Sequence, residues 1–102
     1  MNVRRFAVKT LLVYDMPASM AGFGYIVEAV DVISQLPDKN RAMITKEVYP
    51  RIAREDHTTV GAVEKAIRQA IKRTGINLTA KQFIMMILRV YEAGAEEPFK
   101  FV

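Results

Sequence analysis

Cysteine is absent from the 102 residues, which excludes disulfide bonds and thiolate metal sites. Histidine occurs once, at His57, so the sequence offers no histidine cluster for metal binding or acid–base catalysis. A glycine-rich phosphate loop and a serine-nucleophile motif are also missing. These absences leave no catalytic residue, metal site or cofactor site to assign, and we expect a protein that is not an enzyme.

Long hydrophobic runs are missing as well. The longest, Phe83 to Leu88, is far shorter than the roughly 18 residues that a membrane-spanning helix needs. The N-terminus begins with two arginines, as signal peptides often do, but Lys9 and Thr10 interrupt its apolar residues. Hydrophobic residues make up 51% of the chain and charged residues 25%, a balance typical of soluble globular proteins. We therefore expect one cytoplasmic domain over residues 1–102, with no membrane partner.

Positive charge is concentrated in one segment of the chain. Between Lys39 and Arg73, nine basic residues accompany four acidic ones, so this segment has a formal charge of +5 and the remainder has −1. A local basic excess of this kind is expected of a surface that binds nucleic acid. Solvated helix surfaces are often equally basic, so the count alone is weak evidence.

Apolar residues recur at helical spacing along most of the chain. Helices are predicted from Arg4 to about Tyr14, although a strand stays open there, and from Met20 to about Gln35, with Ser19 as N-cap. Three more are predicted over 40–49, 50–55 and 59–73, and Gly75 suits a left-handed helix end. Thr79 with Gln82 indicates a capping box that opens a last helix to about Ala93. The fold class predicted is all-α, a single bundle of about five to six helices.

The helix predicted over 59–73 has two unlike faces. One face is apolar (Val60, Val63, Ile67, Ala70 and Ile71). The other is small at its start and then basic and amide-bearing (Thr58, Gly61, Ala62, Lys65, Arg68, Gln69 and Lys72), while Glu64 points to the side. Glycine within a helix costs about 1 kcal/mol relative to alanine, which is acceptable where the backbone approaches a partner. This face leaves two interpretations open, a nucleic-acid-binding surface and a protein-binding helical module.

Other polar residues have simpler interpretations. Glu47, Glu55 and Asp56 have basic neighbours in sequence, and surface ion pairing is typical of such carboxylates. His57 lies in the turn before the 59–73 helix, where Thr58 or Thr59 is expected to cap that helix.

The string ITKEVYPRIAREDHTTVGAVEKAIRQAI resembles the C-terminal DNA-binding effector domain of the master sporulation response regulator of endospore-forming Firmicutes. That family's pattern runs close to ITK-x-x-YP-x-IA, a TT turn, and VE-x-AIR-x-AI. The stretches MPASMAGFGYIVEAV and AKQFIMMI are similar to two further motifs of the family, so the resemblance covers roughly residues 12–72 and 81–90.

The resemblance implies a helix-turn-helix in which residues 50–55 form the supporting helix and residues 59–73 the recognition helix. It implies sequence-specific binding of double-stranded DNA at a short box, often in tandem copies, and regulation of transcription. By position, Glu64, Lys65 and Arg68 match polar places of the family's recognition helix. The predicted DNA-binding residues are Thr58, Thr59, Gly61, Ala62, Glu64, Lys65, Arg68, Gln69, Lys72 and Arg73.

This sequence departs from the family pattern at several positions. Lys65 stands where arginine is common, Gly61 and Ala62 replace a polar residue and an arginine, and Gln69 replaces a histidine. We therefore expect a related but altered sequence preference, or weaker binding. The connection over 74–78 is shorter than in the family, where that region contacts the transcription machinery. The phosphoacceptor receiver domain of the full regulator has no counterpart in these residues; if they are the whole protein, we expect control by means other than the family's phosphorylation.

The alternative is an interaction module that keeps the fold and modulates a full-length regulator without reading DNA. The substitutions at Gly61 and Ala62 and the apolar tail (Phe99, Phe101 and Val102) are compatible with it. Further candidate partners are RNA polymerase and a second copy of the chain, forming a homodimer on tandem sites.

Overall fold

The computed structural model describes residues 2–41, 43–98 and 100, with the side chain of residue 39 left out. These described residues form five α-helices in chain order: α1 (Val3–Val13), α2 (Ala21–Ser34), α3 (Tyr49–Glu55), α4 (Val60–Thr74) and α5 (Ala80–Glu92). A 3-10 turn (Asp38–Asn40) and a π turn (Ile44–Val48) lie between α2 and α3. This part of the chain contains no strand, which confirms the all-α prediction and rules out a strand at α1. The apolar tail at 99, 101 and 102 lies outside the described residues.

Helix α2 is the central element, because it packs against each of the other four α-helices and against the π turn. Its contact with α4 is the most extensive and depends on Gly22. A Cβ built on Gly22 would overlap the backbone oxygen of Ala66 and come within 2.7 Å of the Cβ of Ala70. Only glycine therefore permits this distance between the two helix backbones. Gly24, two residues later, has nothing within 4 Å of such a Cβ and is not needed for packing.

Each of the five α-helices contributes one face to the hydrophobic core. Phe6 and Leu11 from α1, Ile67 from α4 and Phe83 from α5 are each at most 1% exposed. Tyr14 and Phe83 meet edge to face with ring centroids 5.5 Å apart. Other large side chains at 2% exposure or less complete this core (Met16, Ile26, Val30, Ile33, Ile44, Val48, Ile52, Ile84, Ile87 and Leu88).

The helix predicted over 40–49 is wrong. Instead, the N–H of Tyr49 donates to the carbonyl of Ile44, five residues back, in the π turn that runs directly into α3. Pro50 explains the wider turn, because proline has no N–H and its ring collides with the carbonyl four residues back in an ordinary α-helix. Pro50 itself lies in the first turn of α3, as predicted. Met43, just before the π turn, is 38% exposed.

The predicted N-cap of the second helix is also wrong. Helix α2 is capped at Met20 with no side-chain hydrogen bond, so Ser19 is not its N-cap. Leu12 is 52% exposed, because the buried stripe of α1 runs through Phe6, Thr10 and Leu11 instead. Thr10 is tolerated in that stripe because its hydroxyl donates to the carbonyl of Phe6 at 2.9 Å.

The basic residue Arg41 lies inside the fold and holds the loop after α2 against the end of α5. Its side chain is 10% exposed, and its Nη1 donates to Glu92 Oε1 at 2.6 Å. Arg41 Nε and Nη2 donate to the carbonyls of Leu36 (3.1 Å) and Ser34 (3.3 Å). The hydrogen bond from Arg41 holds the pKa of Glu92 below its ordinary value of 4.5. Arg41 therefore belongs to the structural part of the basic segment and does not contribute to an external surface.

Among the described helices, none is both long and apolar enough to cross a membrane.

Candidate nucleic-acid interface

Helices α3 and α4 are joined by a four-residue turn, residues 56–59, which has a defined hydrogen-bonding pattern. The N–H of Thr58 donates to the carbonyl of Ala53 (2.9 Å), and the N–H of His57 donates to that of Arg54 (3.3 Å). His57 adopts a left-handed conformation with φ of 53°. This pair of bonds around a left-handed residue is the Schellman motif that ends many helices. His57 is thus a turn residue as predicted, although its left-handed conformation could not be predicted because no glycine marks the position.

The turn is also tied to the central helix. Tyr25 of α2 donates its hydroxyl hydrogen to Asp56 Oδ2, and this hydrogen bond raises the pKa of Tyr25. The two residues are 31 positions apart, so local sequence rules could not have found the pair. The bond fixes the end of α3 relative to α2 and thereby helps to set the direction in which α4 leaves the turn.

Helix α4 begins and ends with caps that the sequence predicted. Thr59, rather than Thr58, is the N-cap, and its hydroxyl oxygen accepts from the N–H of Ala62 at 3.1 Å. Gly75 closes the helix in a left-handed conformation with φ of 80°. The capping box at Thr79 and Gln82 is present in both directions and opens α5. These local signals position the fifteen-residue helix between two sharp ends.

The inner face of α4 is buried as the helical wheel predicted. Val63, Ile67 and Ala70 are fully buried, Ile71 is 4% exposed, and Val60 is half-buried at the edge. Because Gly22 of α2 contacts Ala66 and Ala70 on this side, the helix is held at short range along its middle turns.

The outer face of α4 is exposed and carries most of the predicted site. Its exposed members are Gly61, Ala62, Lys65, Arg68, Gln69, Lys72 and Arg73, and Thr59 is exposed at the N-cap. Within the described part of the chain, Lys65, Arg68, Lys72 and Arg73 form no ion pair. Thr58 lies half-buried in the turn. The structure thus brings nine of the ten predicted residues onto one helix side or its N-terminal turn.

Glu64, the tenth predicted residue, lies at the border between the two faces and is half-buried. Its charge acts on Tyr49 at the start of α3: burial, with a smaller contribution from Glu64, raises the pKa of Tyr49 to about 12. Tyr49 is therefore neutral at physiological pH. Glu64 therefore lies at the edge of the outer face of α4 rather than at its centre.

Beside the outer face lies an open depression of about 1040 Å³, which we call the α4 groove. One wall is α4 (Glu64, Lys65, Arg68, Gln69, Ile71 and Lys72), and the opposite walls are residues 43–46 with Tyr49 and residues 76 and 78–81. Lys46 and Lys81 also border the groove; the sequence placed Lys46 only in the basic segment and did not single out Lys81. Lys46 lies in the π turn and Lys81 in the first turn of α5, and the fold brings both beside α4.

A family model of the sporulation initiation factor Spo0A C-terminal domain matches residues 8–92. The matched range holds most of α1 and all of α2 to α5, including every residue of the outer face. This match confirms the resemblance that the residues of the central motif carry.

Proposed function

The chain belongs to the family of sporulation initiation factor Spo0A C-terminal domains, which are DNA-binding effector domains of response regulators and not an enzyme family. On this premise, we propose that it is a single helix-turn-helix domain that reads duplex DNA through α4 and regulates transcription. The observation that carries this proposal is the outer face of α4, whose four cations have no partner within the described residues. A helix that is fixed to the core along one face and cationic along the other has the form that major-groove recognition uses.

Base reading is assigned to the middle of the outer face. Arg68 suits the O6 and N7 acceptors of guanine, and Gln69 suits the N6 and N7 atoms of adenine. Lys65 lies one turn before Gln69 and is exposed like both of them. Glu64, at the rim, has the acceptor oxygens that pair with the N4 amino group of cytosine.

Phosphate contacts are assigned to the two ends of the helix. Lys72 and Arg73 in the last turn are exposed cations. At the other end, the N–H groups of the first turn and the hydroxyls of Thr58 and Thr59 favour an anion, supported by the helix dipole. Contacts of this kind set the register on the duplex without reading its sequence.

Gly61 and Ala62 support close approach of the helix backbone to DNA. A Cβ added at Gly61 has nothing within 4 Å, so the fold itself does not need glycine there. Glycine in a helix interior nevertheless costs about 0.5–1 kcal/mol relative to alanine. A partner that passes close to this turn gives a physical reason for the residue.

Binding to labelled duplexes tests the proposal. Fluorescence anisotropy would compare a duplex carrying the family's box, or one selected from random DNA, with a scrambled duplex of equal length. We expect preference for the specific duplex, and an affinity for both that falls by about 10³–10⁵ between 50 and 200 mM salt if six to ten phosphates are contacted. No binding to any duplex at low salt would contradict the proposal.

RNA polymerase, a full-length regulator of the family and a second copy on tandem sites stay predicted partners, and a cytoplasmic location stays the expectation that goes with them. The interaction-module alternative is favoured by one observation, the aliphatic side chains in the α4 groove, which phosphate binding does not use.

A further inference from the structure

The α4 groove combines two chemical properties that DNA reading does not explain together. Its floor and sides hold aliphatic groups: Ile44 and Ile71 are buried beneath it, Ile76 and Leu78 are half-buried, and Met43 is 38% exposed. Phosphates and base edges in the major groove find their partners mainly in cations and hydrogen-bonding groups. The aliphatic floor therefore indicates a ligand with apolar side chains.

The rim of the same groove is cationic. Five lysine or arginine residues border it (Lys46, Lys65, Arg68, Lys72 and Lys81), against one carboxylate, Glu64. All five cations are exposed, and the described residues supply no ion pair to any of them. A ligand that fits this rim carries negative charge beside its apolar groups.

We propose that the α4 groove binds an acidic amphipathic helix of a partner protein, with its apolar stripe on the Ile71, Ile76 and Leu78 side and its carboxylates toward Lys46 and Lys81. A groove of about 1040 Å³ is at the upper end of small-molecule sites, which suits a peptide segment. An amphipathic helix in an apolar groove is a recurrent mode of recognition, and its anchors recur at i, i+3, i+4 and i+7.

Occupation of the groove would block DNA binding, and this consequence rests on the proposed function. Lys65, Arg68 and Lys72 border the groove and also form the proposed DNA-reading surface. The acidic helix and the duplex therefore compete for the same cations. A partner of this chemistry would act as an antagonist of DNA binding.

The first experiment measures peptide binding to the full chain without DNA. The probe is a fluorescein-labelled helical peptide of about 14 residues, close to four turns, with leucines at the anchor positions and glutamates elsewhere. One control peptide replaces the leucines by serine, and another replaces the glutamates by glutamine. We expect binding of the first peptide in anisotropy, and at least about tenfold weaker binding, equal to about 1.4 kcal/mol, of each control.

Variants of the chain locate the site. Lys46→Glu with Lys81→Glu should weaken peptide binding by about tenfold or more, because both cations border the groove and are exposed enough to change without unfolding. The matched control is Arg5→Glu, an exposed cation of α1 outside the groove. Methyl NMR should show shifts at Ile76 and Leu78 and none at Ile26 and Ile33, which are buried in α2.

Several outcomes would overturn the proposal. These are equal binding of the serine and leucine peptides, an equal loss with Arg5→Glu, or unperturbed methyls at Ile76 and Leu78. Competition is tested separately by titrating unlabelled duplex into the peptide complex. Displacement supports shared use of the cations, and simultaneous binding overturns the antagonist role. A chain that binds duplex but no peptide contradicts this inference alone, and one that binds peptide but no duplex contradicts the proposed function alone.

Discussion

The inner face of α4 is buried and closely packed, whereas its outer face is exposed and contacts no other helix at Gly61. On the inner face, Val63, Ile67 and Ala70 are fully buried, and Gly22 brings the backbone of α2 against Ala66. On the outer face, a Cβ at Gly61 would meet nothing within 4 Å. The inner face meets Gly22 of α2 and the outer face contains Gly61, but only Gly22 is required by packing. The comparison separates residues that the fold needs from residues that only a partner can explain.

The cations of the molecule divide in the same way. Arg4 of α1 pairs with Glu28 at 2.8 Å and Asp31 at 2.9 Å, and Arg41 pairs with Glu92 at 2.6 Å. Arg68 and Lys72 on the outer face have no such partner among the described residues. Paired cations fasten elements of the fold to one another, and unpaired cations gathered on one face are available to an anionic partner.

The largest expected effect comes from filling the inner contact. Gly22→Ala places a Cβ against the Ala66 oxygen and within 2.7 Å of the Ala70 Cβ, so α2 and α4 must separate. We expect a loss of about 3 kcal/mol in the free energy of unfolding, measured by urea denaturation. Gly24→Ala is the matched control in the same helix, and should instead stabilise by up to about 1 kcal/mol. Equal effects of the two substitutions would show that the close approach at Gly22 does not limit packing.

The next effect separates recognition from stability on the outer face. Arg68→Ala should cost about 1–3 kcal/mol of binding free energy on the preferred duplex, with less discrimination against other sequences. Because Arg68 is exposed, the unfolding free energy should stay within about 0.5 kcal/mol of the parent.

Lys72→Ala is the comparison variant for Arg68. It should weaken binding to specific and random duplexes alike, and lower the slope of log affinity against log salt by about one. If Arg68→Ala also lowers both duplexes equally, Arg68 contacts phosphate and not a base.

A smaller effect tests the paired cations through pH. The hydrogen bond from Arg41 lowers the pKa of Glu92 in the folded state, so this pair stabilises the fold above pH 4.5 and loses its contribution as pH falls through the lowered pKa. Glu92→Gln should cost about 1 kcal/mol at neutral pH, since the side chain is about one third exposed. Its stability should also fall less steeply than that of the parent as the pH falls below 4.5. Parallel pH profiles would assign the acid sensitivity to other carboxylates.

The smallest effect concerns Gly61. Gly61→Ala should raise the unfolding free energy by about 0.5–1 kcal/mol, because the helix gains propensity and nothing nearby is displaced. If the backbone approaches DNA at this turn, the same variant should bind the duplex less tightly, by a few-fold in anisotropy. A variant that is more stable and binds DNA equally well would remove close approach as the reason for glycine.

Local signals in the sequence predicted α4 well. The apolar stripe, the Thr59 cap, the left-handed Gly75 and the Thr79–Gln82 capping box each depend on residues within a few positions, and all are present. The outer-face residues followed from the same helical spacing, and their contacts with DNA stay a prediction.

What the sequence did not predict depends on contacts between distant residues. Arg41 was counted in the basic segment of the sequence. In the structure its side chain lies inside the fold, where it donates a hydrogen bond to Glu92, 51 positions away. Lys46 and Lys81 join the α4 groove only through the folding of three separate segments. The spacing of apolar residues before Pro50 favours an α-helix, whereas the missing N–H of Pro50 disfavours one and leads to the π turn. The spacing pattern alone could not show which of these two effects is stronger.

The contact between Gly22 and Ala66 also has a consequence for the entropy of association. Two helix backbones at this distance cannot slide or rotate past each other, so α2 and α4 should open together in hydrogen exchange, as one cooperative unit. The outer face is then held in one orientation before any ligand arrives. Binding through α4 therefore costs little additional backbone entropy, and a larger part of the contact free energy appears as affinity.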